Sequence, residues 1–311
     1  MLSADQLLEN LLERARGVTE TEAVAVTAAL GRVLAAPQTS SITVPPLDNS
    51  AMDGYAVRVA DVVTPGVRLP VTQRILAGTV GAPLMPGTAA RIFTGSPMPS
   101  GADAVLMQET CSAEGEAVVI HALPRPGDNI RRAGEDIEAG AQILAAGTRI
   151  GAAEMGLAAS VGLADLPVFR RLKVACFFTG DELVTPGAPL SPGQIYNSNR
   201  YMLTGLVHDL GCELIDLGIV PDTLEATEAA LARAAHEADV VVTSGGVSVG
   251  EADYVKAAVE TLGRVEMWKV AMKPGKPIVY GRVNDADFIG LPGNPVSAFV
   301  TFCLFVRPFL L

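Results

Sequence analysis

The sequence predicts a multidomain α/β protein: a three-layer α/β/α domain with a mostly parallel sheet, an inserted small β domain of barrel or sandwich type, and an α+β connector. Three observations carry this. From Leu172 onward, short apolar runs alternate with helix-period segments, the pattern of parallel strands returned by helices. Between Val59 and about Val119, β-rich runs (VRLPVTQRIL, AARIFTG, AVLMQET, AVVIHAL) are broken by Gly and Pro every ~8–12 residues, as in small barrels and sandwiches. At 311 residues and 49% hydrophobic, with 31 Gly and 21 Pro, the chain has the composition of about two to three filled cores joined by many turns.

Ser3 to about Ala35 reads as two helices. Leu7, Leu8, Leu11 and Leu12 mark the first; the run VAVTAALGRVL carries the second from Thr21, and Pro37 stops it. The start is acidic and amphipathic without a secretory core, and no apolar run approaches ~20 residues, so a cytoplasmic protein without a membrane span is expected. Cys111, Cys176, Cys212 and Cys303 are scattered and read as buried thiols of a reducing compartment. A formal net charge of −11 argues against a nucleic-acid partner, which needs a basic footprint. An anionic small molecule would instead need local cations or a divalent metal.

After Pro45 and Pro46, an extended lead-in, Asn49, Ser50 and Asp53-Gly54 spell a turn before a strand at Tyr55–Val57. A plain DG hairpin accounts for them; alternatively Asp48 and Asp53 are carboxylates offered on a rigid loop. Thr94-Gly95-Ser96-Pro97 puts a hydroxyl at a strand end. The β domain closes with Gly127–Ile137, where Arg131 and Arg132 adjoin Gly134-Glu135-Asp136, and a solvated turn is the ordinary reading of such a pair. A helix at Ala152–Val161 returns the chain. The β domain, residues 46–139, is thus inserted in a connector built from 1–45 and 140–171, and the α/β domain spans 172–311.

Within the α/β domain, strands are expected at Lys173–Phe178, Cys212–Leu217, Val240–Val242, Val265–Met272, Pro277–Tyr280 and Asp287–Ile289. Helices fall at Tyr201–Leu210, Thr223–Glu237, after Asp253, and from Pro295. Three strand ends carry polar glycine loops: Thr179-Gly180-Asp181-Glu182, Thr243-Ser244-Gly245-Gly246 followed by Ser248 and Asp253, and Gly290–Ser297 with Pro292, Asn294 and Pro295. In open α/β sheets the ligand sits beyond the carboxyl ends of the strands. Glycine loops opening helices offer bare N–H groups to an oxyanion. Any one loop could be a plain βα turn; three on one edge argue for one ligand. Asp181, Glu182, Asp222 and Asp253 could hold a hard cation such as Mg²⁺. Lys269, Lys273 and Lys276 form the positive cluster this acidic chain otherwise lacks. Asn197 is assigned no metal.

The segments DNSAMDGYAVR, RRAGEDI, TGDEL, GQIYNSNRYML, SGGVSVGEADY, KPGKP and GLPGNPVSA, in this order, resemble the MoeA family of molybdopterin molybdenumtransferases, and the E domain of gephyrin. The resemblance runs from near the N-terminus to Leu311. It implies an enzyme of molybdenum cofactor biosynthesis that inserts molybdate into adenylylated molybdopterin, releases AMP and requires Mg²⁺. It implies an elongated homodimer, with the connector in dimerisation, whose cleft joins the sheet domain of one subunit to the small β domain of the other. Upstream stands a molybdopterin adenylyltransferase, downstream the molybdoenzymes. By motif, Asp53 and Asp136 would face the cleft with Thr94 nearby, while Glu182, Asp222 and Asp253 would be the catalytic and metal carboxylates of the sheet domain. Lys269, Lys273 and Lys276 would contact phosphate or molybdate. Thr179, Ser244, Gly245, Gly246, Ser248 and Asn294 would line the substrate loops, with Pro292 and Pro295 shaping the third. The family carries a further C-terminal β domain beyond the point matching Leu311, whose substrate contacts would be absent here. The competing reading is a non-catalytic molybdopterin-binding or scaffolding module. A generic nucleotide phosphohydrolase is disfavoured by the lack of a GxxxxGK[ST] loop.

Overall fold

The structure, a computed structural model, describes residues 2–246, 254–273 and 277–311. The chain forms two compact units, Met1–Glu22 with Val168–Leu311 (the α/β unit) and Ala23–Pro167 (the β-rich unit). Helix α1 (Ala4–Leu12) opens on a capping box: Ser3 Oγ accepts from the Gln6 amide at 3.2 Å and Gln6 Oε1 from the Ser3 amide at 3.0 Å. The second predicted helix does not form. Thr21–Ala25 is instead strand β1, in a two-stranded sheet with Asp165–Phe169, and only a single 3₁₀ turn follows at Val26–Ala28. Thr21, Val24 and Val26 are β-branched and lose rotamer freedom in a helix, and Gly31, at φ 75°, ends any continuation.

The β-rich unit is built on a six-stranded sheet. Its strands are β2 (Gly54–Val57), β3 (Val67–Ile75), β4 (Ala89–Ile92), β5 (Ala104–Met107), β6 (Cys111–Glu114) and β7 (Ala117–Ile120), in the order β5-β2-β4-β3-β7-β6. All pairings are antiparallel except β3–β4. The long strand β3 serves β7 with residues 67–70 and β4 with residues 71–75, carrying the sheet from one half to the other. Alternate residues fill separate cores: Tyr55, Val57 and Leu106 in one, Ala56, Ile92 and Val105 in the other. With apolar cores on both faces, the barrel- or sandwich-like expectation is met. The expected DG hairpin is absent, because the strand that Gly54 opens pairs with β4 and β5. Helix α2 (Ala152–Ser160) forms as predicted.

The α/β unit is three-layered. Its sheet comprises β8 (Lys173–Thr179), β9 (Glu213–Val220), β10 (Val240–Ser244), β11 (Gly263–Lys269), β12 (Pro277–Val283) and β13 (Ala286–Leu291), ordered β9-β8-β10-β13-β12-β11. The first three pairings are parallel, and the last two form an antiparallel edge. Helices α1, α3 (Ser198–Asp209) and α6 (Pro295–Thr301) cover one face through Leu7, Leu11, Leu203, Ala298 and Phe178. Helices α4 (Leu224–Glu237) and α5 (Tyr254–Leu262) cover the other through Leu231, Val259, Phe177 and Phe288. Cys176 and Cys212 are buried, but Cys111 and Cys303 are half-buried, so burial of all four thiols was too strong an expectation. Among the described residues no helix is long and apolar enough to cross a membrane.

Candidate functional site

Sheet register brings the loops of the α/β unit side by side. Thr179 stands opposite Val220, Phe178 opposite Ser244, and Ser244 opposite Leu291, so β9, β8, β10 and β13 all release their loops at one carboxyl edge. After Ser244 the chain turns through Gly245 (φ 102°) and Gly246 (φ 64°). A Cβ at Gly245 would stand 2.9 Å from the Thr179 carbonyl oxygen, and one at Gly246 would stand 2.5 Å from Val255 Cγ2. Only glycine meets both the conformation and the space.

A buried polar clamp ties the second loop to the third. Ser244 Oγ donates to the Pro292 carbonyl at 3.0 Å and accepts from Asn199 Nδ2 at 2.8 Å. Asn199 Nδ2 also donates to the Gly293 carbonyl at 2.7 Å, and the Gly245 amide donates to the Leu291 carbonyl at 3.2 Å. The Ser244 hydroxyl is thus engaged inside the protein. Asn294 Oδ1 accepts from the Ser297 amide at 3.0 Å and caps α6, with Pro295 at its first turn. Asn197 Oδ1 accepts from the Arg200 amide at 3.1 Å and caps α3. Asn199 was missed by the sequence reading; its only signal there was its place in YNSNR. Asn197 Nδ2 and Asn199 Oδ1 are buried without a partner among the described residues.

Carboxylates collect beside these loops. Asp181 and Glu182 are exposed after β8, and the Asp222 amide, after β9, reaches Asp181 Oδ1 at 3.5 Å. Burial first, then the negative charges of Asp181 and Glu182, push the Asp222 carboxyl above the ordinary carboxylate range. Among the described residues, no group of three or more His, Cys, Asp or Glu is disposed to hold a metal. The expected third carboxylate, Asp253, lies outside the described residues, as do Ser248 and Lys276. Lys273 is exposed, and Lys269 ends β11, its backbone paired with Pro277.

In the β-rich unit, Asp53 Oδ1 accepts from the Thr94 amide at 2.9 Å and from the Thr94 hydroxyl at 2.8 Å. These two bonds, the amide's first, hold the Asp53 carboxyl below its ordinary range. Gly54 is dictated by packing, since a Cβ there would stand 1.9 Å from the Leu106 carbonyl oxygen. Asn49–Ser50 pairs with Ile130–Arg131, and Ser50 exchanges backbone hydrogen bonds with Gly95 and Ser96, so three separate motifs meet. The adjacent arginines are not merely solvated. Arg131 bonds both oxygens of Asp136 at 2.5 and 2.6 Å, and Arg132 bonds Asp48 at 2.6 Å. Arg91, also missed from sequence, donates to the Gly54 carbonyl at 2.9 Å and to Gln108 Oε1 at 2.6 Å.

Fold and site together define a two-unit α/β protein whose three-layer sheet carries glycine loops and carboxylates at one edge. Residues 2–162 match the family described as MoeA N-terminal region (domain I and II), and residues 175–311 match the one described as probable molybdopterin binding domain. The molybdopterin molybdenumtransferase of Haemophilus influenzae is 45% identical over 100% of this chain and 77% of its own length. That of a Nostoc species is 42% identical over 97% of this chain and 71% of its own. A solved molybdopterin biosynthesis MoeA protein from Pyrococcus horikosii superposes with a TM-score of 0.85 at 36% identity, covering 100% of this chain and 79% of that one. The chain belongs to the MoeA family.

Proposed function

We propose that the protein is a molybdopterin molybdenumtransferase of molybdenum cofactor biosynthesis, inserting molybdate into adenylylated molybdopterin with release of AMP and dependence on Mg²⁺. The observation that carries this reading is the carboxyl edge, where Thr179, Glu182, Asp222, Ser244–Gly246 and Pro292–Pro295 meet in a chain of this family. Cleaving the anhydride between AMP and a pterin phosphate develops phosphoryl charge, which exposed backbone amides and cations stabilise. The dithiolene sulfurs belong to the substrate, so no cysteine ligand is required.

The Mg²⁺ requirement rests on Asp222, whose carboxyl is raised by burial and by the charges of Asp181 and Glu182, a repulsion that a hard cation would relieve. Glu182 and Asp222 would hold the ion with Asp253, and it would neutralise phosphoryl charge. Lys269, Lys273 and Lys276 are the proposed phosphate or molybdate contacts. Asp53 and Asp136, with Thr94, are the proposed contribution of the β-rich unit, acting in a cytoplasmic homodimer on substrate held by the second copy. Molybdopterin adenylyltransferase as supplier and molybdoenzymes as recipients belong to the same reading. So does the division into a connector (1–45 and 140–171), an inserted β domain (46–139) and a pterin-binding domain (172–311).

Incubation with adenylylated molybdopterin, molybdate and Mg²⁺, followed by chromatographic measurement of AMP, tests this. AMP release should require molybdate, and Asp222→Asn should raise the half-saturating Mg²⁺ concentration about tenfold or more. If the halves of the site come from different copies, an Asp53→Ala protein co-refolded with an Asp222→Asn protein should, at limiting Mg²⁺, be more active than either variant alone. No molybdate-dependent release would sink the enzymatic reading in favour of a non-catalytic module.

A further inference from the structure

We propose that Arg74, Arg91 and Phe93 form an oxyanion-binding subsite on the β-rich unit, beside the Asp53–Thr94 pair. Arg74 on β3 stands directly opposite Arg91 on β4, and Tyr55 on β2 stands opposite Arg91 on its other side. Phe93 follows Arg91 by two residues, and its ring lies beneath both guanidinium groups, 4.8 Å from Arg74 Cζ and 4.6 Å from Arg91 Cζ. Arg91 also lies 5.1 Å from the Tyr55 ring. Three adjacent strands therefore place two cations and two aromatic rings together.

Neither arginine makes an ion pair among the described residues, although the Arg91 charge acts on the Asp53 carboxyl. Arg91 donates to a backbone carbonyl and an amide oxygen, and exposed Arg74 has no hydrogen bond or ion pair there. The neighbouring carboxylates are engaged otherwise, Asp53 by Thr94 and Glu109 by the Gln108 amide at 3.2 Å. Like charges directly opposite in a sheet repel. Stacking on Phe93 offsets part of that cost; the Arg74 fork is left without a hydrogen-bond partner among the described residues, while Arg91 spends one N–H of each terminal nitrogen on Gly54 and Gln108 and keeps the second. Such forks match the geometry of a tetrahedral oxyanion, and a doubly charged anion between them removes the repulsion. In a chain of net charge −11, two adjacent cations with no ion pair among the described residues are not explained by solubility. The chain Arg91–Phe93–Thr94–Asp53 makes the subsite continuous with the loop proposed to act on substrate. Molybdate and the phosphoryl group of an adenylate share the chemistry required. The choice of these anions rests on the function proposed above; the subsite itself does not.

Arg74 is exposed and its side chain makes no hydrogen bond or ion pair among the described residues, so its variants report on the subsite with little effect on the fold. Calorimetric titration of the full chain with sodium molybdate and, separately, with AMP should compare wild type with Arg74→Gln and Arg74→Glu. Arg74→Gln is expected to weaken binding of one anion about tenfold and Arg74→Glu to weaken it further, with unchanged thermal midpoints. The anion that responds identifies the source. In turnover, the KM for that substrate should rise while kcat holds. Equal affinities for both anions in wild type and Arg74→Glu, or no binding of either by wild type, would overturn the proposal. A wild type that releases no AMP but loses anion binding on Arg74→Gln would defeat the enzymatic reading and leave the subsite standing.

Discussion

Asp53 draws its acidity chiefly from Thr94, with a smaller contribution from the Arg91 charge. Thr94 supplies both hydrogen bonds to Oδ1, and each favours the ionised form. A carboxyl depressed in this way contributes stability above its unfolded pKa and loses it as pH falls through the folded value. Thr94→Val keeps the amide bond and removes the hydroxyl bond. The Asp53 pKa should then rise toward the ordinary range, and the acid limb of the kcat/KM profile should move to higher pH. A carboxyl-carbon NMR titration of Asp53 follows the same shift without turnover, and an unmoved titration would remove Thr94 from this role. Asp222 is perturbed in the opposite sense, by burial and two like charges, so it strains the fold where Asp53 supports it. Both aspartates could be named from sequence. Their opposite electrostatics could not, because the partners lie about forty residues away in each case: Thr94 for Asp53 and Asp181 for Asp222.

At the scale of elements, α1 belongs to the α/β unit although most of that unit's chain follows residue 167. Leu7 and Leu11 are fully buried against the face that also receives Phe302 and Phe305, and the Ala271 amide donates to the Leu2 carbonyl at 2.9 Å. Leu11→Ala should therefore destabilise the α/β unit by about 2–5 kcal/mol in urea unfolding, the cost of a core cavity. A change under ~1 kcal/mol would mean that the helix is only peripherally docked. Helix α1 was readable from its leucine spacing and its Ser-x-x-Gln start. The neighbouring stretch was misread as helix because its apolar residues suit either period over so short a window; pairing with Asp165–Phe169 decided for strand.

The whole molecule is one unit interrupted by another. Residues 23–167 hold two apolar clusters of their own, and near its ends this unit is tied by the Val26 amide to the Ala164 carbonyl and the Ala35 amide to the Pro167 carbonyl, both at 2.9 Å. A fragment of residues 23–167 should consequently fold alone and unfold cooperatively by circular dichroism. A fragment with no cooperative transition would show that its cores need the remainder of the chain.

By itself the sequence determined the class of most elements, though not of Thr21–Ala25, together with the alternation that produces a parallel sheet and the motifs that mark the loops. It did so because these depend on local periodicity, on glycine and proline, and on short capping signatures. Tertiary structure alone decided which loops share an edge, that Asn199 clamps two of them, that β3 and β4 run parallel, and that Arg74 meets Arg91 over one ring. Those facts rest on strand order and register between distant segments, and no local pattern encodes them.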